Sequence, residues 1–286
     1  MSKTIKAICL DMDGTLLNNH NQLKNNTIEA IQAIRQKGIK VFIVTGRSLD
    51  EVYDSAPVDI ELDGFVTANG MITYRNGEKI LEHKLTTAFV NKIIDSAREH
   101  DIYYEAHPND GQRLALTRDK AYMNELISGD KPSEVGINEW LERKAAIEED
   151  LSFEDHLIEQ HYAKVYCFQP SQKVMKQWTE VLEEMKKDGD FTTSQSSPNN
   201  VEIMVANVNK ATGIKALLQY YNISNEEVMA IGDSNNDLPM MRYVGYPVAM
   251  KNATEQLKQL VKEETQYTND EDGVYHYLTK FFLSTK

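Results

Sequence analysis

Ile5-Lys6-Ala7-Ile8-Cys9-Leu10-Asp11-Met12-Asp13-Gly14-Thr15-Leu16-Leu17 is the stretch on which the reading of this chain turns. Ile5, Ala7, Ile8, Cys9 and Leu10 make a short apolar run, and its length and β-branched content predict a buried strand rather than a helix. The run stops at Asp11 and Asp13, and Gly14 closes a turn. Acidic groups at the edge of a buried strand are costly unless positive charge compensates them. Open α/β sheets hold their ligands just beyond the carboxyl ends of the strands. Two carboxylates facing one pocket there predict a cation. Taken alone, Asp-x-Asp-Gly is also an ordinary turn. It is not an EF-hand loop, which needs Gly at the sixth position and Glu at the twelfth; here Gly is the fourth residue from Asp11 and the twelfth is Gln22.

A chain of 286 residues can bury a substantial core and form two domains. Its net charge of −13, from 44 acidic and 31 basic residues, argues against broad binding to nucleic acid or anionic membranes. An anionic small substrate remains compatible, because a local metal and one lysine reverse the field inside a pocket. The two cysteines, Cys9 and Cys167, fall on predicted strands far apart and read as small buried hydrophobes in a reducing compartment. No apolar run approaches the roughly 20 residues of a membrane helix, and no signal-peptide pattern opens the chain. These features predict a soluble cytoplasmic protein.

From the acidic turn onward the pattern alternates. Residues 25–37 read as a helix, 39–44 as a buried strand ending in Thr45-Gly46-Arg47, 49–56 as a short helix, and 64–68 as a strand ending at Asn69-Gly70. Strand–helix alternation of this kind builds a parallel sheet. Residues 71–84 alternate around Asn76-Gly77, a hairpin signal. Helices at 87–100, 119–128, 138–149 and 172–187 then mix with strands at 102–106, 113–117, 161–169, 191–194 and 201–205. That mixture predicts an α+β domain inserted at 84–202 into a Rossmann-like parallel-sheet core made of 1–83 and 203–286. The alternation resumes with a helix at 210–221 and a strand at 228–231 running into Gly232-Asp233-Ser234-Asn235-Asn236-Asp237. A helix at 238–243, a strand at 246–250, and helices at 254–262 and 273–282 complete the chain.

Four places share one geometric logic: Asp11 with Asp13 after the first strand, Thr45 with Gly46 after the second, Asp233, Asn236 and Asp237 after a late strand, and Lys210 opening a helix. In a parallel sheet these strand ends share one edge. Oxygen ligands without His or Cys favour Mg²⁺. A strand-end turn rich in backbone N–H groups, with one lysine, favours phosphate. Together they predict Mg²⁺-assisted phosphoryl transfer. Each piece also has an ordinary reading, as a turn, a solvated lysine or a helix cap; it is their joint occurrence, in this order, that carries the expectation.

Asp11-Met12-Asp13-Gly14-Thr15, Val44-Thr45-Gly46-Arg47, Asn209-Lys210 and Gly232-Asp233-Ser234-Asn235-Asn236-Asp237 resemble the motifs of the haloacid dehalogenase-like (HAD) superfamily, in its order and spacing. The inserted segment resembles the cap of its Cof-like branch, subfamily IIB. One departure is Ala211, where the family often has Gly after its motif lysine. The resemblance implies that Asp11 is a nucleophile forming an aspartyl-phosphate and that Asp13 is the acid and base. It implies Mg²⁺ held by the Asp11 carboxylate, the Asp13 backbone carbonyl and Asp233. Thr45, the backbone of Met12 and Gly46, Lys210 and Asn236 would hold the phosphoryl oxygens, and Asp237 would support the metal site or Lys210. Asn69, at the third strand end, would touch substrate. The cap would close over the site. The implied substrates are small phosphorylated metabolites such as sugar phosphates, pyridoxal phosphate or flavin mononucleotide.

Rival readings are a phosphomutase of the same superfamily and a poorly active sugar-phosphate sensor. A signalling receiver domain is a third, but its phospho-accepting Asp belongs after the third strand, where this chain has Asn69-Gly70. Arg113, Arg118, Arg143 and Lys164 of the inserted segment are candidates to meet a second anionic group, though each also reads as a solvated charge. The sequence leaves the oligomeric state open.

Overall fold

A computed structural model of the protein describes residues 4–55 and 61–284, which fall into two compact units, Met1–Glu82 with Val208–Lys286 and His83–Asn207. The chain begins with β1 (Ala7–Leu10), α1 (Asn25–Gln36), β2 (Lys40–Val44), α2 (Leu49–Ser55), β3 (Gly64–Thr67), β4 (Ile72–Arg75) and β5 (Glu78–Glu82). Ala56, the last residue of the predicted short helix, lies outside the described residues. The second unit contributes α3 (Thr87–Glu99), β6 (Tyr103–Pro108), β7 (Leu114–Leu116), α4 (Lys120–Leu126), α5 (Ile137–Ala145), β8 (Ser152–Glu154), β9 (Tyr162–Phe168), α6 (Gln172–Met185), β10 (Phe191–Ser194) and β11 (Asn200–Val205). The first unit resumes with α7 (Lys210–Tyr221), β12 (Val228–Gly232), α8 (Leu238–Tyr243), β13 (Tyr246–Ala249), α9 (Glu255–Leu260), β14 (Glu263–Glu264) and α10 (Gly273–Leu278).

Among the described residues, the first unit's sheet runs β14-β13-β12-β1-β2-β3-β4-β5. Pairing is parallel from β14 to β3 and antiparallel through the β3–β4–β5 hairpins. β1 lies between β12 and β2, every one of its residues buried, which is why it reads as an unbroken apolar run. The ends of β1, β2, β3 and β12 therefore reach one edge; β1, β2 and β12 are each followed by a predicted motif and β3 by Asn69. The architecture is mixed α/β around a central parallel sheet.

The second unit's sheet runs β10-β11-β9-β6-β7-β8, antiparallel except for β7–β8. β11 pairs with β9 and β10 inside this sheet, so residues 203–207, assigned to the first unit from sequence, belong to the second. The apolar alternation of 201–205 reads equally well as a strand of either sheet, and only the pairing decides. β8 and β14 were not legible: three and two residues are too short to show a period.

One face of this second sheet carries charge. Glu105 on β6 is fully buried, and its carboxylate accepts from Arg143 Nη1 at 2.6 Å, Arg113 Nη1 at 2.9 Å and the Tyr103 hydroxyl at 2.7 Å. Lys164 and Glu202 pair at 2.5 Å, and Arg118 pairs with Asp95 at 2.6 Å. The four basic candidates thus meet carboxylates of their own unit, and Arg143 and Lys164 are buried rather than solvated. Burial alone disfavours the Glu105 carboxylate, but Arg143 and Arg113 override it and hold the group well below the usual glutamate range. Its stabilising contribution is complete above the ordinary glutamate value and is lost as pH falls through the depressed one. Glu105→Gln should destabilise the fold by about 3–5 kcal/mol, because it strands buried guanidinium charge. Denaturant unfolding checks this, and a loss below about 1 kcal/mol would contradict it.

Among the described residues, no helix is long and apolar enough to cross a membrane.

Candidate active site

The turn after β1 is the first part of the site. Asp13 (φ −72°, ψ 122°) and Gly14 (φ 73°, ψ 0°) have the dihedrals of a type II turn, which requires a positive φ at its third residue and so selects glycine there. Close packing adds a second reason, since a side chain at Gly14 would collide with the Asp233 carboxylate. The turn leaves Asp11 buried and Asp13 outward, its side chain 49% exposed. Met12 is buried at the start of the turn.

α7 brings in the cation. Asn209 caps it, its side chain accepting from Ala211 N at 3.0 Å, so the helix starts at Lys210 despite Ala211 in place of glycine. Gly213 lies where any side chain would collide with Val66 of β3, which lets α7 approach the sheet closely. Lys210 is fully buried, and its Nζ donates to Asp11 Oδ1 and to Asp237 Oδ1, each at 2.6 Å. Burial works against the ammonium, but the two carboxylates override it and raise Lys210 above its ordinary value.

The turn after β12 supplies the remaining acids. Asp237 Oδ2 accepts from the backbone N–H of Asp233 at 2.9 Å and of Ser234 at 3.1 Å. Thr15 Oγ1 donates to Asp233 Oδ1 at 3.0 Å, tying this turn to the first one. Asp11, Asp233 and Asp237 each offer a carboxylate oxygen within 4.8 Å of the others. With all groups ionised, two buried carboxylates, Asp11 and Asp237, share the ammonium of Lys210, and the half-buried Asp233 adds a third negative charge beside them. Asp11 is accordingly pushed up to about 7, first by burial and then by Asp237, with Lys210 opposing. Asp233 is held well above its usual value by burial, then by Asp11 and Asp237.

This all-oxygen, charge-deficient cluster fits a hard divalent cation. Asp11 and Asp233 are freer than Asp237 to hold such an ion. Asp237 has both oxygens engaged by Lys210 and two backbone N–H groups, which suits holding Lys210 and the turn in place.

The residues expected from sequence to hold an anion lie beyond β2 and β3. Thr45 is buried, its backbone N–H donating to the Val66 carbonyl at 2.8 Å and its carbonyl accepting from Asn69 N at 2.9 Å. Gly46, half-buried, follows it. Asn236 Nδ2 donates to Asn69 Oδ1 at 3.3 Å, joining the third strand end to the late one. The structure thus brings Asp11, Asp233, Asp237 and Lys210 together and links Thr45, Asn69 and Asn236 into a neighbouring chain. Asp13 is drawn elsewhere: Arg47 Nη2 donates to its Oδ1 at 2.6 Å and Arg47 Nε to its Oδ2 at 2.9 Å. Arg47 Nη1 also donates to Ser55 Oγ at 2.6 Å. Arg47 and Thr15 lie inside the quoted motifs, yet the sequence does not disclose these bonds, because a side-chain pairing between separate strand ends leaves no local period.

The family model described as haloacid dehalogenase-like hydrolase matches residues 8–278. The chain is 30% identical over 275 residues to the 5-amino-6-(5-phospho-D-ribitylamino)uracil phosphatase YcsE of Bacillus subtilis, covering 94% of this chain and 93% of that protein. Its fold is similar to that of a haloacid dehalogenase-like hydrolase from B. subtilis, with a TM-score of 0.81 at 24% identity, covering 97% of this chain and 100% of the other. It is also similar to that of BT4131, a sugar phosphatase of HAD subclass IIB, with a TM-score of 0.71 at 22% identity over 98% of this chain and 100% of the other. With the strand-end acids, the capped lysine and these likenesses in hand, the chain belongs to the haloacid dehalogenase-like hydrolase family, among its phosphatases.

Proposed function

We propose that the protein is a Mg²⁺-dependent phosphatase of small phosphorylated metabolites, sugar phosphates or similar phosphomonoesters, working through an aspartyl-phosphate on Asp11. The observation that carries this reading is the buried Asp11 carboxylate at the end of β1, bonded to Lys210 and flanked by Asp233. Asp11, the Asp13 backbone carbonyl and Asp233 are the proposed Mg²⁺ ligands. The ion, when bound, neutralises the charge of the carboxylates and of the transferring group.

In the first half-reaction an Asp11 oxygen bonds to phosphorus as the ester P–O bond breaks, and Asp13, protonated and turned away from the Arg47 pair that holds it here, gives its proton to the departing oxygen. In the second, Asp13 takes a proton from the water that attacks phosphorus, and Asp11 leaves. Lys210, Thr45, Asn236 and the backbone N–H groups of Met12 and Gly46 hold the phosphoryl oxygens, where charge stabilisation contributes most. Asp237 keeps Lys210 aimed, and Asn69 contacts substrate. The inserted unit is assigned the part of a cap that selects the leaving group, on its place in the chain and its α+β build. Buried, free Cys9 and Cys167 support a cytoplasmic location, and the net charge of −13 supports small molecules rather than nucleic acid or membranes as partners.

Phosphate release from a panel of phosphomonoesters, with and without Mg²⁺, tests the reading. The panel holds sugar phosphates, pyridoxal phosphate, nucleotides, an aryl phosphate and, following YcsE, 5-amino-6-(5-phospho-D-ribitylamino)uracil. Mg²⁺-dependent release is expected; no release from any substrate would contradict the reading. Asp13→Asn should lower kcat by about 10²–10⁴-fold, the range of a lost general acid–base group. Its melting temperature should hardly move, because the side chain is half exposed. Turnover within about twofold of wild type would remove Asp13 from the acid–base role.

A further inference from the structure

A segment far from the motifs in sequence reaches back onto the turn that carries Asp13. Asn252 Nδ2 donates to the Gly14 carbonyl at 2.7 Å. Asn252 Oδ1 accepts from Asn269 N at 3.1 Å, and Asn269 Nδ2 donates to the Leu17 carbonyl at 2.9 Å. Together the two asparagines grip both ends of the stretch that follows Asp13. Two residues beyond Asn252, Thr254 N donates to the Asp233 carbonyl at 2.8 Å, and Thr254 Oγ1 donates to Asn235 Oδ1 at 3.1 Å. One short turn after β13 therefore ties the β1 loop to the β12 loop.

The strap is anchored at its far side. Asn19 N donates to Asp270 Oδ1 at 2.7 Å, and Lys24 Nζ pairs with Asp272 Oδ1 at 2.6 Å. The loop closes on itself where Gly273 N donates to the Thr268 carbonyl at 2.8 Å. Gly14 has no side chain to resist rotation about its own φ and ψ. The bond from Asn252 fixes the peptide that follows Gly14 and so anchors the end of the turn that begins at Asp13.

We propose that Asn252 is a positioning residue: by holding the Gly14 carbonyl it keeps the backbone of the Asp13–Gly14 turn fixed, so that the Asp13 side chain, on exchanging Arg47 for the leaving oxygen, delivers its proton from a set position. This inference rests on the reading of Asp13 as the acid. Asn252 itself touches no reacting atom.

The test compares kcat/KM on two Mg²⁺-loaded substrates, an alkyl phosphate such as a sugar phosphate and p-nitrophenyl phosphate. This constant reports only the steps up to transfer onto Asp11. An alkoxide leaves poorly without a proton, whereas a nitrophenolate needs little help. Asn252→Ala should therefore lose about tenfold or more on the alkyl phosphate while staying within about twofold on the aryl one. Asn252→Asp preserves size and still accepts from Asn269 N, but it sets a carboxylate oxygen against the Gly14 carbonyl; it should show the same selective loss. A purely structural defect lowers both substrates alike, so equal losses, or none on either, would overturn the proposal. A wild-type enzyme silent on both substrates would instead count against the phosphatase reading itself.

Discussion

Asp11→Asn should abolish turnover, by about 10⁵-fold or more, since it removes the proposed nucleophile. The fold should persist. The substitution deletes one charge from a cluster of three carboxylates, and Lys210 retains Asp237 at 2.6 Å. The carboxamide oxygen still accepts from Lys210. The melting temperature should therefore match or exceed that of the wild type, measured without Mg²⁺. An Asp11→Asn protein that still releases phosphate at a substantial rate, in a preparation free of contaminating phosphatase, would remove Asp11 from the nucleophile's place.

Lys210→Ala should be damaging twice over. Its ammonium is the cation bonded to both Asp11 and Asp237, and it is fully buried. Removing it leaves two buried carboxylates facing each other, a loss of about 3–5 kcal/mol of stability. It also removes the fixed positive charge proposed to hold the transferring group, and kcat should fall by about 10²–10³-fold, the scale of a lost oxyanion donor. Lys210→Arg separates the effects: it restores charge but places it in a planar fork that the 2.6 Å contacts do not fit. The arginine variant should regain much of the stability and little of the activity. Full activity in either variant would contradict the assignment.

The chain shows which parts of such a site sequence exposes. Asp11, Asp233 and Lys210 were legible because each follows or opens a regular element: an apolar strand that ends in acid, or a capped helix with its lysine first. Parallel-sheet geometry then places them at one edge with no further information. The Asp13–Gly14 turn was legible as a turn, but the clash between a Gly14 side chain and Asp233 was not, because it depends on a residue from the far side of the sheet. Arg47, Thr15, Asn252 and Asn269 act through side chains that meet residues distant in sequence, and such pairings carry no periodicity. The buried Glu105 cluster was hidden for the same reason: Arg143, on a helix heavy in charge, reads as solvated until the sheet packs against it. The return crossing was misplaced by a few residues because a short alternating strand does not announce its partners.

The most direct measurement is peptide mapping of the enzyme quenched in acid during turnover of a phosphomonoester with Mg²⁺, using the Asp13→Asn protein to slow release. A phosphoryl group on the carboxylate of Asp11, absent when Asp11 is Asn, is the predicted result. Turnover with no phosphoryl group on Asp11 at any quench time, or with the group on another residue, would contradict the account.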